Sequence, residues 1–98
     1  MNQYMVEIIL PGEFTQDFAQ LIPAQRARIN ELFGDGSIRS YSLSMDRSLL
    51  WVIFVAESSE EVEGFLDTFP IIEYCSHSTH ELMFHDMATN ELPRISLN

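Results

Sequence analysis

The stretch EYCSHSTHELMFHD, Glu73 to Asp86, holds all three histidines, the single cysteine and three of the acids. His77 and His80 form an H-x-x-H. Residues of these types ligate metals or carry protons near neutral pH. On a strand, successive side chains point to opposite faces, so His77 and His80 cannot reach one ion within a chain. His77 and His85 share a face but stand roughly 26 Å apart at ~3.3 Å per residue. Cys75 and His77 supply two ligands on one face, where a structural zinc site takes about four and a catalytic one about three. A helix would cluster His77, His80 and Glu81, but CSHST is weakly helix-forming. A strand is therefore expected, with one histidine facing each side, no metal and no cofactor.

Other chemistry finds little support. There is no G-x-S-x-G elbow for a serine nucleophile. The GDG at Gly34 to Gly36 has the wrong spacing for a phosphate loop and no lysine follows it. Cys75 is expected to be a small, buried residue.

The elements that position these residues follow from periodicity. Residues 3–10, QYMVEIIL, alternate as a strand, with Tyr4, Val6, Ile8 and Leu10 on one face and Met5, Glu7 and Ile9 on the other. PGEFT ends it, and Thr15 caps a helix reaching about Phe33. Phe18, Leu21, Ile22, Ile29, Leu32 and Phe33 form its apolar stripe. Pro23 removes a hydrogen bond inside that helix and predicts a kink or two successive helices. GDG stops it. SIRSYSLSM, 37–45, alternates strictly, with Arg39, Tyr41, Leu43 and Met45 on one face. Ser40, Ser42 and Ser44 make the other, which reads as the solvated side of an edge strand. DRS is a turn. LLWVIFVA, 49–56, is apolar on both faces, as in a strand buried on both sides. Ser58 and Glu61 have capping-box spacing before a short helix carrying Val62, Phe65, Leu66 and Phe69.

The order is β-α-β-β-α-β: an α+β, ferredoxin-like fold of four antiparallel strands with both helices on one face. Residues 1–86 form this domain and 87–98 a polar C-terminal tail. Helices cover one face of the sheet only, yet the third strand is apolar on both. The economical cover is a second sheet, giving a homodimer, a dimeric α/β barrel.

Composition narrows the partners. At 98 residues the chain is a single domain. It carries five arginines, no lysine and a formal charge of −10. Nucleic acid and anionic membranes need Lys/Arg to neutralise phosphates, so neither is an expected partner. The missing lysine excludes Schiff-base chemistry. One cysteine forms no internal disulfide. MNQYMVEIIL lacks a basic leader region, and no apolar run approaches the ~20 residues of a membrane helix. A soluble, cytoplasmic protein is expected.

GSIRSYSLSMDRSLLWVIF, Gly36 to Phe54, and FPIIEYCSHST, Phe69 to Thr79, resemble the corresponding segments of muconolactone isomerases. The Leu10-Pro11 pair, the G-x-x-R at Gly36 to Arg39, and Pro70 followed by Tyr74 fit as well. The resemblance covers most of residues 4–85. It implies ferredoxin-like subunits paired through their sheets and assembled into a larger ring. It also implies a cofactor-independent isomerase that moves a double bond in a carboxylated lactone by proton transfer. The chain departs from that family in IPAQRARINEL, where the family helix is rich in Lys and Glu, and in the serines of the second strand.

Such a reaction needs a base, a proton donor and a cation for the carboxylate. His80, His77 and Glu7 are the candidate catalytic groups, with Glu81 a further base. Arg39, the sole strand arginine, and Tyr41 beside it are the candidate substrate contacts. The structural alternatives are a hydrogen bond from His80 to Ser78 or a backbone carbonyl, and an ion pair of Glu7 with Arg39. The competing function is a non-catalytic small-ligand-binding or oligomeric module of the same fold. A cofactor-free oxygenase rests on fold analogy alone. Expected partners are a second copy of the chain and a small-molecule carboxylate or lactone.

Overall fold

The structure, a computed structural model, describes residues 1–88, so most of the expected tail at 87–98 lies outside the described residues. Four strands, β1 (Asn2–Ile9), β2 (Ile38–Leu43), β3 (Leu49–Ala56) and β4 (Ser76–Leu82), form one antiparallel sheet in the order β2-β3-β1-β4. Helices α1 (Gln16–Ala19), α2 (Ile22–Gly34) and α3 (Ser59–Leu66) complete the β-α-β-β-α-β order, with a 3₁₀ turn at Ile72–Tyr74 leading into β4.

Local chemistry sets the helix ends. Thr15 Oγ1 accepts from the Phe18 N–H at 3.2 Å and starts α1. Pro23 sits in the first turn of α2, where its missing N–H costs nothing, so the expected long helix is two successive ones. Ser58 Oγ accepts from the Glu61 N–H at 3.2 Å. The Glu61 carboxylate returns to the Glu57 N–H at 2.7 Å, one residue earlier than in the usual capping box.

The alternation of β1 puts Tyr4, Val6 and Ile8 opposite Phe54, Val52 and Leu50, and all six are buried. Phe18, Ile29, Leu32, Val62 and Leu66 from the helices close over them. Each large side chain removed from water in this way stabilises the fold by about 1.5–3 kcal/mol. On the opposite, bare face, Ile53 is buried, Trp51 and Val55 are half-buried, and Ile9 is exposed.

β2 departs from strict alternation. Ile38 pairs with Phe54 and Ser40 with Ile53, leaving Arg39 as an extra, bulged residue. The bulge lets Ile38 join the core while Tyr41 and Leu43, opposite Val52 and Leu50, still face the helices. The expected grouping of Arg39 with Tyr41 on one face therefore does not hold. Met45 belongs to the turn after β2 and is exposed. That turn is held by Asp46 Oδ1, which accepts from Ser44 Oγ, Ser48 Oγ and the Ser48 N–H. β4 is also shorter than the stretch Glu73 to Asp86, and His85 lies beyond its end.

Candidate functional site

A cavity of about 430 Å³ opens between α1, α2 and the helix-facing side of β2 and β3. Its walls are largely apolar, built by Leu10, Phe14, Phe18, Ile22, Ile29, Leu43, Leu50 and Ile71. Gln25 and Tyr41 place polar atoms in the wall, while the exposed Arg26 and Asn30 complete the lining.

Gln25 lies on the apolar stripe of α2, four residues before Ile29 and seven before Leu32, and is only 3% exposed. Its Oε1 accepts from the Ile71 N–H at 3.4 Å, and its Nε2 donates to the Tyr41 hydroxyl at 3.3 Å. Burial pushes the Tyr41 phenol's pKa up; the Gln25 hydrogen bond and the Arg26 charge pull it the other way. The phenol therefore stays protonated at neutral pH. A largely apolar cavity with a protonated phenol among its few polar groups suits a compact apolar molecule carrying a hydrogen-bond acceptor.

Of the residues singled out from the sequence, Tyr41 lines this cavity, whereas Arg39, His77, His80 and Glu7 do not. His80 pairs with Met5 and Glu7 with Ser78 on the bare face. Glu7 Oε1 accepts from Trp51 Nε1 at 3.1 Å, and no ion pair joins it to Arg39 among the described residues. His77, opposite Ile8, is on the helix face. There Glu63 of α3 bridges β4, with Oε1 at 2.9 Å from His77 Nε2 and Oε2 accepting from Thr79 Oγ1 at 3.0 Å. The parity argument for the two histidines thus holds in the fold. Cys75 is half-buried, its Sγ donating to the Ile71 carbonyl at 3.3 Å, and desolvation raises its pKa. Among the described residues, no three His, Cys, Asp or Glu side chains gather as metal ligands do.

Gln25 carries a sequence signal of its own, a lone amide on an otherwise apolar helical stripe of Leu21, Ile29 and Leu32. Buried polar residues demand partners, and this one finds them in the cavity wall.

The fold and cavity define an α+β protein of the ferredoxin-like class. Within that class the chain has a muconolactone isomerase-like fold. It is similar to the crystal structure of muconolactone isomerase at 3.3 Å resolution, with a TM-score of 0.71 over 91% of this chain and 96% of that one. Sequence identity is 18%, so the likeness is one of fold. No protein-family model and no curated protein matches the chain. Among the described residues, no helix is long and apolar enough to cross a membrane.

Proposed function

We propose that the protein binds a compact, largely apolar carbonyl or carboxylate compound in the cavity between α2 and β2. The observation that carries this is the protonated Tyr41 hydroxyl, set by the buried Gln25 amide in a largely apolar wall. Arg26 and Asn30 supply polar contacts for a carboxylate. Among the described residues, the cavity lining contains no His, Asp or Glu, so it offers hydrogen-bond donors but no carboxylate or imidazole base. Geometry therefore supports ligand binding ahead of proton abstraction. Isotope-edited NMR with a panel of small cyclic ketones, lactones and carboxylates tests this. Methyl shifts at Ile29, Leu43 and Ile71 are expected; a panel that moves none of them overturns the proposal.

The second reading is a cofactor-independent isomerase acting on a small lactone, with His80, His77 and Glu7 as candidate proton carriers and Arg39 and Tyr41 as substrate contacts. The likeness of fold to muconolactone isomerase supports it. Exchange of substrate carbon-bound hydrogen with solvent deuterium, lost in His80→Ala or Arg39→Ala, is its test. Pairing of two copies through the bare face belongs to both readings, supported by Ile9, Trp51 and Val55 there.

A further inference from the structure

Resting on the cavity's role as a ligand site, we infer that Gln25 is a positioning residue that makes Tyr41 a one-way donor. The cavity then selects apolar ligands headed by an acceptor, such as a ketone or ester carbonyl, over those headed by a donor.

The backbone dictates this polarity. The Ile71 N–H needs an acceptor, and the Gln25 Oε1 at 3.4 Å supplies it. Turning the amide over would set its NH₂ against that N–H, leaving two buried donors without partners. The amide nitrogen is thereby directed at Tyr41, whose oxygen must accept. The hydroxyl proton is left for another partner, and no described residue accepts it. Tyr41 lines the cavity, so a bound molecule is the group placed to take that proton. A donor-headed ligand would meet hydrogen with hydrogen. Arg26 and Asn30 are exposed, where water competes for them.

Three bicyclic probes of similar size separate these effects by calorimetric or NMR titration. Indene has neither group and measures the apolar cavity alone. 1-Indanone presents only an acceptor and indole only a donor. The wild-type chain is expected to bind 1-indanone about tenfold more tightly than indole, the scale of one satisfied against one unsatisfied buried group. In Tyr41→Phe the preference should vanish while indene affinity is kept. In Gln25→Leu the hydroxyl turns freely, and the preference should likewise fall towards unity. Should Gln25→Leu not fold, the wild-type ratio still reports, since an unfixed hydroxyl would serve both probes. Equal binding of 1-indanone and indole, with indene bound, overturns the role of Gln25 and leaves the cavity as a ligand site. A preference that survives in Tyr41→Phe overturns it too. Absence of indene binding overturns both.

Discussion

The Trp51 indole on β3 donates to the Glu7 carboxylate on β1 across 3.1 Å, on the sheet face that no described helix covers. This pair sits among Met5, Ile9, Ile53 and Val55. A face of that character suits association with a second apolar sheet, the polar pair keeping its own bond. We expect dimers in sedimentation at micromolar concentration. Ile9, 50% exposed at the edge of this face, is the probe. Ile9→Asp should weaken association about tenfold or more while leaving the circular dichroism spectrum unchanged. A wild-type monomer would remove the dimer.

The buried Gln25 amide makes a stability prediction separate from ligand choice. Gln25→Leu leaves the Ile71 N–H without its acceptor. The loss in urea unfolding should be about 1–3 kcal/mol. Tyr41→Phe leaves the buried Gln25 Nε2 without its acceptor and should cost a similar amount. A double-mutant cycle should show the two losses to be coupled.

Phe54 is the centre of the aromatic core. It is fully buried, stacked on Phe65 at 5.7 Å and packed against Phe69 at 6.1 Å. Phe54→Ala should destabilise by about 3–5 kcal/mol, read as a shift in the denaturant midpoint with little change in slope.

Asp46 gives the fold an acid-sensitive turn. Hydrogen bonds from the Ser48 hydroxyl, then the Ser44 hydroxyl and the Ser48 N–H, hold its carboxyl below the usual carboxylate range. Because the folded pKa is depressed, the stabilisation is present above the unfolded value of about 3.9 and fades as pH falls through the folded one. Asp46→Asn should therefore flatten the pH dependence of stability below about pH 4, measured by thermal unfolding.

The strands, their order and the opposite facing of His77 and His80 were readable because parity on a half-buried sheet leaves little choice. Val6 and Ile8 must go inward together, and a one-residue slip would expose both. Arg39 defeated the same logic. Nothing in IRSYSL marks the bulge, which exists because Ile38, Tyr41 and Leu43 are all drawn to the helix side and their spacing does not fit a period of two. The cavity was hidden for a different reason. It arises where α1 and α2 meet the β2 edge, a long-range juxtaposition, although the amide of Gln25 on an apolar stripe hinted that something polar lay behind it.

The two outer strands of the sheet also bear on how the protein behaves at high concentration. β4, SHSTHEL, is polar along almost its whole length, and β2 is kinked by its bulge at Arg39. An open strand edge is a template for polymerisation, and hydrophilic or kinked edges poison it. With both borders blunted, sideways growth of the described sheet into fibrils is disfavoured. Association between copies is then expected through the sheet face carrying Ile9, Trp51 and Val55, the pairing proposed above.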